Sequence, residues 1–101
     1  MSKIAGVIPF KAKPGQGADV AQALADALPH VEKETGTPLW MVLHSEVDPD
    51  CVFLVDLFTD EAAREAHMKG DAAAQIFATV PDLLAEEPVI HPAKTIAHKG
   101  I

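Results

Sequence analysis

Two neighbouring segments that are apolar on both faces constrain the fold of this chain more than any other feature. Residues 39–45 (LWMVLHS) and 52–58 (VFLVDLF) have the composition of strands, and the turn between them contains Asp48-Pro49-Asp50. A sheet covered on one side only should alternate apolar and polar residues along each strand. These two segments do not alternate. They therefore predict an antiparallel hairpin that is covered on both faces.

The segments before the hairpin predict a strand and a helix. Residues 4–13 favour a strand that ends at Pro14-Gly15, although Pro9 within it cannot donate a ladder hydrogen bond. The period then becomes helical over residues 18–35, where we expect one helix kinked at Pro29, with Gly36 at its C′ position. Its apolar stripe comprises Val20, Leu24, Ala27, Leu28 and Val31.

The segments after the hairpin predict two helical stretches and a strand. The first stretch begins at Thr59 or Asp60, ends at Met68 and is followed by Gly70, a helix breaker. We expect its buried side to consist of Ala62, Ala63 and Ala66. The second begins at Asp71, and its stripe comprises Ile76, Phe77, Val80, Leu83 and Leu84. Residues 89–98 favour a last strand, which Pro92 marks as an edge or bulged strand.

The predicted order β-α-β-β-α-β is that of an α+β, ferredoxin-like subunit, in which helices cover one face of a four-stranded antiparallel sheet. We expect residues 1–101 to form a single domain. No further helices remain to cover the second apolar face. The simplest cover is a second copy of the same sheet, which predicts a homodimer. The alternative is a monomer with an unusually apolar exposed face.

Charge and composition exclude several classes of protein. Fifteen Asp and Glu against eight Lys and Arg give a net charge of −7, which argues against a nucleic-acid partner. No apolar run approaches the roughly 20 residues of a membrane span, and no signal peptide is visible. A single cysteine, Cys51, excludes an internal disulfide, so we expect a cytoplasmic protein. Metal-ligand motifs and a Gly-rich phosphate loop are absent, and we expect no metal and no cofactor.

Three segments resemble one known family. Residues 10–15 (FKAKPG) resemble the start of the first helix in antibiotic biosynthesis monooxygenase (ABM) domains, and residues 34–39 (ETGTPL) resemble the end of that helix. Residues 52–67 (VFLVDLFTDEAAREAH) resemble the family's strand-to-helix segment. The sequence departs from the family at Asp56, where Glu is usual, and it contains no Tyr.

The resemblance implies a dimeric α+β barrel of ferredoxin-like subunits. It does not single out one activity. Members of the family include cofactor-free monooxygenases of phenols and quinols, haem-degrading enzymes and proteins without known activity. The haem-degrading branch uses an Asn on the first strand and a Trp on the second helix. This chain has no Asn, Ile8 stands at about that strand position, and Trp40 is predicted on a strand.

His67 and Asp56 are the candidate catalytic residues. His67 matches the helix histidine of the family and is predicted at the edge of its helix's apolar stripe, where a titratable ring can face a pocket. It would be a base or a hydrogen-bond partner for a phenol; the alternative is a structural His bonded to a carbonyl or to Asp56. Asp56 lies in an apolar strand and would orient His67, or would be a structural acid that caps a helix or bridges a dimer.

Three further residues are candidates for binding a substrate. Trp40 and His44 share a predicted strand face and could line a pocket for an aromatic molecule, or could simply be core or interface residues. His91 on the last strand is a further candidate. The leading hypothesis is a cofactor-independent monooxygenase of a phenolic or quinol-type small molecule. The alternatives are a non-catalytic dimeric binding or assembly module, and a haem-binding or haem-degrading protein.

Overall fold

The computed structural model describes residues 4–100. Four strands, four α-helices and one 3₁₀ turn follow one another along the chain in this order: β1 (Ile4–Lys11), α1 (Gly17–Ala25), α2 (Leu28–Val31), β2 (Leu39–His44), β3 (Cys51–Phe58), α3 (Glu61–Met68), α4 (Asp71–Thr79), the 3₁₀ turn (Pro81–Leu83) and β4 (His91–Lys94).

The strands form one antiparallel sheet in the order β2-β3-β1-β4, which confirms the ferredoxin-like α+β fold. The hairpin prediction is confirmed by the pairing of Leu39 with Leu57 and of His44 with Val52. β4 lies at the sheet edge, as Pro92 indicates. It spans only His91–Lys94, however, and is therefore shorter than the predicted 89–98.

Pro9 is tolerated within the central strand β1 because one side of that strand is left without a ladder partner there. β4 pairs only with residues 4–7 of β1. Further along, Ala85 N donates to Lys11 O (2.8 Å) and Lys13 N donates to Leu83 O (2.9 Å), so residues 83–85 take over as the neighbour on that side. Pro9 lies between the part of β1 that pairs with β4 and the part that contacts residues 83–85. Its missing N–H therefore leaves no acceptor unpaired.

The main core lies between the helices and the inner sheet face, which we define as the face that carries Phe10, Val52 and Leu54. These three side chains are buried against residues of α1, α2 and α4, and the cluster also includes Val20, Leu24, Ala27, Val31, Ala72, Ile76, Val80 and Leu84. Both predicted helical stripes therefore reach the core. Two of their members do not, because Leu28 and Phe77 are exposed.

The prediction of one helix kinked at Pro29 is wrong, since the segment forms two helices. α1 ends at Ala25, and α2 begins at Leu28. Proline lacks an N–H and disfavours a helical conformation at the residue before it. The chain therefore breaks upstream of Pro29, which occupies the first turn of α2, where its missing donor costs nothing.

The predicted buried side of α3 is also wrong in part. Asp60 caps the helix, its carboxylate accepting from Ala63 N at 2.8 Å, as expected. Ala62 and Ala66, however, are exposed, whereas His67 is 5% exposed and is the buried residue of the helix. Alanine buries little apolar area, so alanines determine the orientation of a helix only weakly. Specific contacts of His67 orient α3 instead.

The outer sheet face, defined by Val7, Met41, Leu43, Phe53 and Val55, carries apolar side chains that no element within residues 4–100 covers. Val7, Met41 and Leu43 are 36%, 40% and 44% exposed. Val55 pairs with Val7 on one side and with Met41 on the other, so these side chains form a continuous row across three strands.

None of the described helices is long and apolar enough to cross a membrane.

Candidate functional site

The loop between α2 and β2 packs directly on α3, and Gly36 makes this close approach possible. A Cβ atom at Gly36 would lie 2.6 Å from the Cβ of Ala63. Gly36 O also accepts a hydrogen bond of 3.0 Å from Thr59 N at the junction of β3 and α3. The φ angle of Gly36 is not positive, so its small size, rather than the C′ conformation expected from the sequence, explains its place. The contact brings Glu34 within reach of α3.

His67 is held on one side by Glu34. The distance from His67 Nδ1 to Glu34 Oε1 is 2.6 Å, and the hydroxyl of Thr37 donates to the same oxygen at 2.9 Å. The Phe58 ring lies against the imidazole, with the ring centroids 5.2 Å apart and the planes inclined at 48°. The short distance indicates a charge-assisted hydrogen bond, which fixes the plane and position of the imidazole ring.

Asp56 lies on the opposite side of the same ring. Its Oδ2 is 3.6 Å from His67 Nε2. Asp56 pairs with Trp40 on β2 and with Gly6 on β1, so all three occupy one row of the inner face. A Cβ atom at Gly6 would lie 2.6 Å from Asp56 Oδ1, so the absence of a side chain at Gly6 makes room for the carboxylate. The two carboxylates thus flank His67 at different ring nitrogens.

Burial raises the pKa of Asp56 from its ordinary 3.8 to about 6. The side chain is removed from water, which disfavours its charged form, and the nearby Glu34 carboxylate acts in the same direction. The charges of His67 and Arg64 oppose this effect. Arg64 is anchored beside the sheet, because its Nη2 donates to Ala5 O (2.6 Å) and to Ala93 O (3.1 Å).

His67 separates two cavities of different character. The first, with a volume of about 50 Å³, lies between the inner sheet face and α4 and is lined by apolar residues and His67. The second is a wider and more polar cleft of about 580 Å³ between α3 and the loop that carries Glu34, Thr35 and Thr37. His67 borders both. Among the described residues, His67 is the one that the two cavities share, and its Nδ1 is occupied by Glu34.

The structure does not bring the three predicted substrate-binding residues to the apolar cavity. Trp40 is half-buried against the core beside Asp56, and its Nε1 is buried without a hydrogen-bond partner among the described residues. His44 is exposed and bonds Pro49 O in the hairpin turn at 2.7 Å. His91 pairs with Val7 on the outer sheet face and borders a separate cavity with Cys51 and Lys11.

Glu34 is the site residue that sequence reasoning missed. From the sequence, Glu34 is noted only as the first residue of the segment 34–39 that resembles the family, and no role is predicted for it. The motif could have indicated it, because a glycine two positions later allows the close helix approach that the structure shows. Within residues 4–100, no group of three or more His, Cys, Asp or Glu side chains could hold a metal ion.

The fold, together with a buried histidine between two carboxylates, defines a small α+β protein with a candidate acid–base site. The chain belongs to the antibiotic biosynthesis monooxygenase (ABM) family, whose sequence model matches residues 4–79. This membership supports a general ABM-type function. None of the curated proteins matches the chain.

Several solved structures have the same fold. NE2512, a protein of unknown function from Nitrosomonas europaea, is 39% identical with a TM-score of 0.88, and the match covers 100% of this chain and 96% of that one. SO0527 from Shewanella oneidensis is 28% identical with a TM-score of 0.83, over 93% of this chain and 91% of that one. An antibiotic biosynthesis monooxygenase shares the fold, with 11% identity, a TM-score of 0.81 and coverage of 93% and 99%.

The raised pKa of Asp56 predicts a pH-dependent effect of Asp56→Asn on stability. The folded chain favours the protonated carboxyl, so this group's stabilising contribution is complete below pH 3.8 and is lost as the pH rises to about 6. The loss amounts to roughly 3 kcal/mol, at about 1.4 kcal/mol per pH unit of pKa difference. We therefore expect Asp56→Asn to be more stable, relative to wild type, at pH 8 than at pH 4.

Chemical denaturation of both proteins at pH 4, 6 and 8 measures this difference. Asp82→Asn, at an exposed position, is the matched control and should show little dependence on pH. A difference between Asp56→Asn and wild type that stays constant across this range would contradict the prediction.

Proposed function

We propose that the protein is a cofactor-independent monooxygenase that oxidises a phenolic or quinol-type small molecule with O₂. The observation that carries this proposal is the position of His67. Among the described residues that line the apolar cavity, it is the titratable one, and Glu34 occupies its Nδ1. A base at the wall of an apolar cavity is the group that such a reaction requires.

The proposed reaction begins with transfer of the phenolic proton to His67 Nε2. The resulting phenolate is electron-rich enough to react directly with O₂, so the substrate supplies the electrons. One oxygen atom enters the ring as a carbonyl in place of a ring C–H bond. The O–O bond breaks, and the C–H proton together with the proton that the imidazolium returns converts the other oxygen atom into water. One phenol and one O₂ thereby give one quinone and one water, without an outside reductant. The cavity would contribute positioning and exclusion of water.

In this proposal, the negative charge of Asp56 stabilises the protonated form of His67. Its carboxylate faces the Nε2 side of the imidazole at 3.6 Å. A negative charge there stabilises the imidazolium that forms when His67 accepts the proton. Because the pKa of Asp56 is about 6, its carboxylate carries this charge at neutral pH and loses it in mild acid.

A substrate of this class requires a wider cavity than the structure shows. A benzene ring occupies a cavity of about 150 Å³, whereas this one measures about 50 Å³. Phe77, which is 56% exposed, lines the cavity together with Pro88 and Ile90 from the segment before β4. We propose that outward movement of these side chains admits the ring.

We also propose that residues 1–101 act as one domain and that two copies form a homodimer through their outer sheet faces. The uncovered row of Met41, Val55 and Val7 supports this arrangement, because apolar patches of this extent are uncommon on soluble monomers. Proteins of the ABM family are typically dimeric. A second copy would cover the apolar face of both hairpins at once.

The small cavity favours a second candidate function, a non-catalytic dimeric module that binds a small molecule or serves in assembly. A cavity of about 50 Å³ holds little more than a few water molecules. In that case the Glu34–His67–Asp56 cluster would only hold α3 against the sheet.

Oxygen uptake by the purified protein distinguishes the two functions. The substrates are a panel of simple phenols, hydroquinones and larger fused-ring quinols, each with a protein-free control for autoxidation and an anaerobic control. Saturable uptake that follows protein concentration for at least one substrate supports the monooxygenase. Uptake at the protein-free rate throughout the panel would favour the non-catalytic module.

A further inference from the structure

We infer that Glu34 is the positioning residue of the site: it fixes the tautomer of His67 so that Nε2 carries the lone pair that acts as the base. This inference rests on the proposed function and deepens it.

The hydrogen bonds around Glu34 determine which group donates the proton. Thr37 Oγ1 donates to Glu34 Oε1 at 2.9 Å, and the same oxygen lies 2.6 Å from His67 Nδ1. An oxygen that accepts from a hydroxyl and lies this close to a ring nitrogen is best satisfied as part of an ionised carboxylate. The proton between Glu34 and His67 therefore resides on Nδ1, and a neutral imidazole has its lone pair on Nε2.

Asp56 favours the opposite tautomer. Its Oδ2 is 3.6 Å from Nε2, so an ionised Asp56 attracts a proton to that nitrogen and away from Nδ1. Glu34 prevails in this competition because it is 1 Å closer and makes a direct hydrogen bond. Without the Glu34 carboxylate, the neutral imidazole would carry its proton on Nε2 and could not accept one from a molecule in the cavity.

The same contact acts again after proton transfer. When Nε2 accepts the phenolic proton, the ring becomes an imidazolium, and Glu34 is the anion already bonded to it. The Glu34 carboxylate accepts a hydrogen bond from Thr37, and its loop packs against α3 at Gly36. The carboxylate therefore need not move during the reaction. A partner that is already oriented stabilises a developing charge without reorganisation.

Long-range ¹H–¹⁵N spectra of His67 test this inference without any activity measurement. The resonances are assigned by their loss in His67→Asn. In wild type at neutral pH we expect a protonated Nδ1 and an unprotonated Nε2. In Glu34→Gln the amide can donate to Nδ1, and Asp56 attracts the proton to Nε2, so we expect the tautomer to reverse. Glu32→Gln, at an exposed position two residues away, should leave it unchanged.

Wild type with a protonated Nε2, or the same tautomer in wild type and Glu34→Gln, would overturn the inference. Unchanged backbone spectra and an unchanged melting temperature in Glu34→Gln would confirm that the fold is intact. Thr37→Val is the second variant, and because it retains the carboxylate, it should retain the wild-type tautomer.

The kinetic arm uses the substrate that shows oxygen uptake. Glu34→Gln should lower kcat by about 10-fold to 10⁴-fold. The upper value is the loss typical of a His–carboxylate pair whose carboxylate no longer fixes the tautomer. The change in KM should be much smaller. An unchanged kcat together with a reversed tautomer would overturn the positioning role. If wild type oxidises none of the substrates, the proposed function fails, while the spectra still decide the tautomer.

Discussion

We expect His67→Asn to lower turnover of an oxidised phenol by about 10²- to 10⁴-fold, the range typical of a positioned general base. The Asn amide nitrogen occupies roughly the position of Nδ1 and can still donate to Glu34 Oε1, which His67 contacts at 2.6 Å. The atom that the variant loses is Nε2. The comparison therefore removes the proposed base and retains the contact that holds α3.

The stability of His67→Asn is measured beside its rate, because His67 is only 5% exposed and truncation leaves a small void. We expect a cost of about 1–3 kcal/mol, which leaves the protein folded at assay temperature. His98→Asn, an exposed histidine of the last segment, is the control and should change neither quantity. A folded His67→Asn with at least half of the wild-type kcat would show that His67 is structural.

We expect Val55→Asp to convert a dimer of about twice 10.7 kDa into a folded monomer. Val55 lies in the middle of the uncovered row, between Val7 and Met41. Within one chain its side chain points away from the helical core, so an aspartate there remains solvated. In the dimer the charge would be buried in an apolar interface without a partner, at a cost of several kcal/mol.

Light scattering at micromolar concentration measures the mass of each variant, and circular dichroism checks the fold. Val47→Asp is the matched control, because Val47 is 95% exposed in the hairpin turn and the same change should leave the dimer intact. A wild-type mass near that of one chain would contradict the dimer. A Val55→Asp protein that stays dimeric would place the interface elsewhere.

The sequence predicts the sheet better than the helices. The hairpin follows from two apolar runs and an Asp-Pro-Asp turn, and both signals are local. The break before Pro29 and the exposure of Ala62 and Ala66 depend on packing. An alanine-rich helix face has little preference for burial. Helix α3 is oriented instead by the contact between His67 and Glu34, which are 33 residues apart in the sequence, so no local pattern predicts it.

The candidate site was predictable at its centre but not in its surroundings. His67 is indicated by its match to the family's helix histidine and Asp56 by its place in an apolar strand, and the structure brings the two side chains within 3.6 Å of each other. The role of Glu34 depends on a loop reaching α3 through Gly36. The glycine two positions later permits such an approach, but the sequence does not show which helix the loop contacts. His44 and His91 have the right chemistry for a pocket, but the register places them at a turn and on the outer face.

The measurement that tests the central claim most directly is the incorporation of ¹⁸O₂ into the product of a substrate that shows uptake. If the protein is a cofactor-independent monooxygenase, metal-free and flavin-free wild type should give a quinone with one ¹⁸O atom and labelled water, at a rate that falls sharply in His67→Asn. An unlabelled quinone accompanied by hydrogen peroxide, or labelling equal to that of the protein-free control, would contradict it.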